Sequence, residues 1–206
     1  MKRLFRPLIL GFAVLLPATP VLAATTVFHS TFKGQAASAF FVSVDPSGCI
    51  DTAVSVNAQD EATKVDGQPG VTSVAFLFIS VFDNCTQTSL VSAAGSAALA
   101  PDDLIVQKLD SATLDTSIEV DDFASGTTFT VDVSLNWTGV GDQFRGKTHS
   151  HFTSPGFRVN SRFDATSRGA TASGTVSDGT TNYTPAPDLA ANLVMAKSGD
   201  VVVQKL

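Results

Sequence analysis

Phe129-Thr130-Val131-Asp132-Val133-Ser134-Leu135-Asn136-Trp137-Thr138 alternates an apolar with a polar residue at every step. A period of two sends Phe129, Val131, Val133, Leu135 and Trp137 to one side of an extended chain and their polar neighbours to the other. The stretch therefore reads as a strand with one buried and one wet face. Ile50, Thr52, Val54 and Val56 alternate in the same way with Asp51, Ala53, Ser55 and Asn57, while Val74 to Val81 is apolar on both faces and suits a central strand.

Turn chemistry separates these runs. Asp45-Pro46-Ser47-Gly48, Asp66-Gly67-Gln68-Pro69-Gly70, Ser125-Gly126, Ser154-Pro155-Gly156, Asp178-Gly179 and Ser198-Gly199-Asp200 each combine residues that favour tight bends. About twelve strands follow, near 36–44, 49–58, 72–83, 87–98, 104–109, 112–120, 127–138, 143–152, 156–168, 170–177, 189–196 and 200–206. Ser89 to Leu99 is Ala-rich, and Leu189 to Lys197 has Asp188 as an N-cap with Gly199 beyond its end, a short-helix signal. Both are read as strands. The fold class is all-β: one mainly antiparallel sandwich or flattened barrel.

The two halves share an order of motifs that allows a pair of pseudo-repeats, near 36–120 and 127–206. Pro69-Gly70-Val71, Phe82-Asp83, Ala93-Ala94-Gly95-Ser96 and Ala100-Pro101-Asp102 are echoed by Pro155-Gly156-Phe157, Phe163-Asp164, Ala172-Ser173-Gly174-Thr175 and Ala186-Pro187-Asp188. The literal match of Val106-Gln107-Lys108-Leu109 to Val203-Gln204-Lys205-Leu206 falls in a different register and is treated as coincidence.

Residues 1–23 carry an export signature. Lys2, Arg3 and Arg6 precede an apolar run from Leu8 to Leu16, and Val21 and Ala23 are small residues suited to cleavage. The run is too short for a transmembrane helix, which needs about 20 apolar residues. The mature chain, residues 24–206, is expected to form a single domain that is secreted, extracellular or periplasmic. In such a compartment the only two cysteines, Cys49 and Cys85, are expected to form a disulfide. If their strands pair antiparallel across the turn near Asp66, both cysteines come to the same end. Closing a loop of about 37 residues would add about 3 to 4 kcal/mol of stability.

Charge narrows the function. The full chain has a formal net charge of −6, and removing Lys2, Arg3 and Arg6 takes it to −9. That disfavours nucleic acid and anionic membrane surfaces as partners. Ser and Thr make up about a fifth of the chain, and 15 Phe stand against one Trp and one Tyr, which suggests a Phe-rich core under a hydroxyl-rich exterior.

Several residues are candidates for chemistry. His149 and His151 lie two apart on a strand, so their rings share one face, and a carboxylate or a third histidine would complete a metal site. Arg145 and Lys147 are on the same face, and cations beside a metal oppose it. His29, the third histidine, is read as a surface residue. Arg145, Lys147, His149, His151, Arg158 and Arg162 are the one basic concentration in an acidic chain, and two successive strands can gather them into a patch for an anionic polymer or acidic partner. Tyr183, between Thr181, Asn182 and Thr184, is the aromatic expected to be displayed for a glycan.

No Asp-x-Asp-x-Asp-Gly calcium loop, no Gly-x-Ser-x-Gly nucleophile turn and no singular carboxylate pair occurs. The acidic pairs Asp102-Asp103 and Asp121-Asp122 fall in turns. The sequons at Asn84, Asn136 and Asn182 would be acceptors only in a eukaryotic secretory pathway. No cofactor is expected. The functional expectation is a non-enzymatic binding, adhesive or surface-structural protein with an extracellular partner or glycan. The alternative is a metal-assisted hydrolase using His149 and His151. An outer-membrane barrel is also compatible with alternation, although scarce Tyr and Trp leave little for its aromatic girdles.

Overall fold

The computed structural model describes residues 25–184 and 190–205. The export signature at 1–23 and the loop holding Ala186-Pro187-Asp188 lie outside the described residues. Nine strands follow one another: β1 (Thr25–Val44), β2 (Ile50–Val65), β3 (Gln68–Asp83), β4 (Thr88–Ala98), β5 (Leu104–Gln107), β6 (Ser111–Asp122), β7 (Thr127–Ser154), β8 (Phe157–Ser177) and β9 (Ala190–Lys205). Every pairing is antiparallel, and the order is β4-β3-β2-β1-β9-β8-β7-β6-β5.

One further pairing closes the ring. Ala93, Ala94 and Gly95 of β4 lie opposite Asp122, Asp121 and Val120 of β6, so eight strands form a flattened barrel with β5 on the flank of β6. The backbones meet so closely there that a Cβ on Gly95 would collide with the Glu119 carbonyl. Asp122 locks the corner from inside by accepting hydrogen bonds from the Ser92 and Ala124 amides and from Ser125 Oγ.

The alternation read at Phe129–Thr138 sets which side faces in. Val131, Val133, Leu135 and Trp137 meet Val54, Val56, Leu77, Ile79, Ile118 and Leu193 in the barrel interior, all at most 2% exposed. Trp137 Nε1 donates to the Ser38 carbonyl at 2.8 Å, tying β7 to β1 across two intervening strands. Leu109, at the turn between β5 and β6, plugs one end of the barrel, and its carbonyl packs where a Cβ on Gly139 would otherwise sit. Asp115, Glu119, Asp121 and Asp132 point outward. The filled apolar interior is the inverse of the polar lumen of an outer-membrane barrel, and the exterior is acidic on β6 and β7 but carries exposed Phe40, Phe76 and Phe78 on β1 and β3.

Three features differ from expectation. The core is not Phe-rich: Phe41 is buried, but Phe40, Phe76, Phe78, Phe144, Phe152, Phe157 and Phe163 are all at least 40% exposed. An eight-stranded barrel has room inside only for a single filling of side chains, and branched aliphatics and alanines take it. Nine strands replace twelve because three apparent breaks lie within continuous strands. Gly139 to Gln143 is a bulge in β7, Gly169 lies in the middle of β8, and Gly199 is held in register by Thr31 on one side and Arg162 on the other. The half-motifs land on unlike elements: Phe82-Asp83 and Ala93–Ser96 lie on β3 and β4, whereas Phe163-Asp164 and Ala172–Thr175 share β8.

The disulfide forms where strand direction dictates. Ile50 pairs with Asp83, the Asn84 amide donates to the Cys49 carbonyl, and Cys49 and Cys85 are bonded with their Cα atoms 5.2 Å apart.

Long strands carry the sheet past the barrel. Residues 68–73 of β3, 59–65 of β2, 25–36 of β1, 195–205 of β9, 157–168 of β8 and 143–154 of β7 form a six-stranded extension without β4 or β6. Its edges, on β3 and β7, have no strand partner among the described residues.

Candidate functional site

The face of the extension that continues the barrel interior is cationic. Residues directly opposite in an antiparallel pair point to the same side, so the register alone lists its rows. Nearest the barrel are Asp60, Gln35, Met195, Thr166 and Arg145. The next row is Ala62, Lys33, Lys197, Asp164 and Lys147, and beyond it lie Lys64, Thr31, Gly199, Arg162 and His149. His29, Val201, Asn160 and His151 form the fourth row, and Val27, Val203, Arg158 and Thr153 the last. All three histidines and most of the mature chain's lysines and arginines thus share one surface.

Asp164 is the hub. It is 5% exposed, and Arg162 Nη2 donates to its Oδ2 at 3.4 Å. Arg145 Nη2 and Lys147 Nζ lie 3.7 and 3.9 Å from Oδ1, beyond good hydrogen-bond length, and that oxygen is buried without a donor. The three cations are each more than half exposed. Asp60, the other carboxylate in these rows, is occupied by Ser73 Oγ and Gln35 Nε2. Lys33 and Lys197 stand directly opposite each other, and neither has an ion pair or side-chain hydrogen bond among the described residues. Like charges placed so cost stability unless a counter-ion answers them.

Three hollows that share lining residues run in a line along this surface, beside a smaller one over Gln35, Asp60 and Met195. The first, about 360 Å³, lies at the barrel mouth between Lys33, Lys197, Arg145, Asp164 and the turn residues Lys108 and Leu109. The second, about 250 Å³, shares Asp164 and Lys197 with it and adds Arg162 and Gly199. The third, about 340 Å³, shares Arg162 and Gly199 with the second and reaches His149, His151 and Asn160. At two residues per row the line of hollows extends about 20 Å. A Cβ at Gly199 would meet nothing within 4 Å, so the missing side chain leaves the floor of this groove open.

No family model matches this chain. No curated protein sequence matches it either. Among solved structures, a Nitrosomonas europaea protein assigned the name AttH is similar at 12% identity, with a TM-score of 0.30. The match covers 98% of this chain and 59% of that one, so the chain spans less than two thirds of its neighbour's length.

The sequence-selected residues divide on this surface. Arg145, Lys147, His149, His151, Arg158 and Arg162 do share one face, as strand spacing implied. His151 uses both ring nitrogens, Nδ1 with Asn160 Oδ1 at 2.6 Å and Nε2 with Thr153 Oγ1 at 3.1 Å. His29 lies in the same row as His151 but three strands away. Among the described residues, the one group of three or more His, Cys, Asp or Glu with ligand atoms within 4.8 Å of each other is Cys49, Asp83 and Cys85, whose sulfurs are already bonded together.

Tyr183 is not displayed. It is 6% exposed, its amide donates to the Val176 carbonyl, and its hydroxyl donates to Asp178 Oδ2 at 2.7 Å. Burial and that hydrogen bond push the phenol pKa upward. Burial alone would raise the Asp178 carboxyl, but hydrogen bonds from Thr180, Thr181 and Tyr183 outweigh it and hold the group far below the usual carboxylate range. The polar neighbours that made Tyr183 look exposed are the ones that turn the loop inward. Conversely, the meeting of Lys33 with Lys197 escaped sequence reading because it depends on β1 pairing with β9, a contact spanning nearly the whole chain, and Asp164 and Gly199 join the site through β8 pairing with β9.

Proposed function

We propose that this is an exported, non-enzymatic binding protein whose groove on the extension takes an anionic ligand. One observation carries the reading: in a chain with a net charge of −6, one continuous face gathers Lys33, Arg145, Lys147, Arg158, Arg162 and Lys197 around a single buried carboxylate. Lys33 and Lys197, exposed and without an ion pair among the described residues, offer an anion Coulomb energy at no cost in existing pairs. The Cys49–Cys85 bond suits an oxidising compartment, and the basic-apolar-small pattern of residues 1–23 supports export.

The test is retention of the mature protein on an immobilised polyanion across a salt gradient. Binding should weaken steeply with salt, and Arg162→Glu with Lys197→Glu should cost at least about tenfold in affinity, about 1.4 kcal/mol. Salt-insensitive binding, or wild-type affinity in the double variant, would remove the groove from the function.

A further inference from the structure

The groove carries more than positive charge. Asp164 borders two of the hollows at its centre, and its Oδ1 is buried and receives no hydrogen bond. Buried acceptors in folded proteins nearly always have a donor, and an orphan is a place where a donor is owed. Arg145 and Lys147 lie 3.7 and 3.9 Å from it with heads more than half exposed. If either swings toward an incoming acid group, Oδ1 opens to the same ligand.

Resting on the anion-binding reading above, we propose that the groove selects a polyanion that also bears hydroxyls, an acidic polysaccharide. Its carboxylate or sulfate groups pair with Lys33, Lys197, Arg145 and Lys147, and a sugar hydroxyl donates to Asp164 Oδ1. A polyanion without donors, such as polyphosphate, gains the cations but meets Asp164 as a repelling charge with nothing to offer it. Asp164 is then the residue that converts a generic basic face into a selective one. The form of the groove agrees: three overlapping hollows in a line over about 20 Å fit a chain of repeating units better than one compact ion. Gly199 keeps the middle hollow open, and its backbone is not in the left-handed region, so a larger side chain there fills space without straining the chain.

The experiment titrates the mature protein, at one ionic strength, with an oligogalacturonate and with a polyphosphate of equal charge. Wild type should prefer the oligogalacturonate about tenfold. Asp164→Ala should weaken the oligogalacturonate about tenfold while tightening the polyphosphate several-fold, and Asp164→Asn should tighten the polyphosphate in the same way. Gly199→Phe, which alters no charge, should weaken the oligogalacturonate. The wild-type preference needs no variant, so the proposal stays testable even if Asp164→Ala fails to fold. Equal affinity for both probes, or parallel tightening of both on loss of Asp164, would overturn the selectivity while leaving an anion-binding face intact. Failure of wild type to bind either probe would instead overturn the anion-binding reading, and this proposal with it.

Discussion

At the scale of single residues, carboxylates with local hydrogen bonds recur at the corners of the fold. Asp45 receives the Ser47 hydroxyl and the Cys49 and Ile50 amides, Asp83 the Thr86 and Cys85 amides, and Asp122 the Ser125 hydroxyl and the Ser92 amide. These bonds lower all three pKa values, as those around Asp178 lower its own. A carboxyl whose folded pKa is depressed contributes stability above its unfolded pKa, about 3.9, and that contribution is lost as pH falls through the folded value. Thermal midpoints should therefore be flat from pH 8 to about 5 and drop below about 4, with Asp178→Asn reducing both the stability at pH 7 and the acid drop. Scanning calorimetry across that range checks both. Legibility at this scale follows from how local the cause is. Trp137 was readable as buried because its alternation runs through adjacent residues. Tyr183 was misread because Asp178, five positions back, folds a polar loop over it.

At the scale of elements, the cysteine pair was legible for a geometric reason: two strands joined by a turn bring their outer ends together. Mass spectrometry of exported protein should give a chain starting near Ala24 and two hydrogens lighter than its reduced sequence, and Cys49→Ala with Cys85→Ala should lower unfolding free energy by about 3 to 4 kcal/mol. Strand number was less legible because Gly-Asp and Ser-Gly pairs read as turns wherever neighbours are unknown. Ser198-Gly199-Asp200 stays extended because β1 and β8 pair with it on both sides. The exposed edge of β7 invites a different failure. Inward-pointing Arg145 and Lys147 beside a free strand edge hinder pairing with a second molecule. Replacing both by Val should produce concentration-dependent association, visible by analytical ultracentrifugation, while wild type remains at its original size.

For the whole molecule, alternation was enough to specify an all-β fold that could be either a sandwich or a flattened barrel. It could not specify closure, which depends on Gly95 admitting β6 at atomic contact. Nor could it show the groove whole. Strand spacing grouped the cations of β7 and β8, but those of β1 and β9 join them only because the last strand returns to the first.

That closure has a dynamic consequence. Ala93 to Gly95 and Val120 to Asp122 are the whole pairing between β4 and β6, against fifteen or more residue pairs between β1 and each of its neighbours. The ring is therefore a clasp with one short catch, and opening it sacrifices few hydrogen bonds while the rest of the sheet stays intact. Such sub-global opening lies well below the free energy of complete unfolding. In hydrogen–deuterium exchange the amides of residues 93–95 and 120–122 should lose protection ahead of those at the centre of β1 and β9, and a Gly95→Ala substitution should release the catch further without unravelling the meanders on either side.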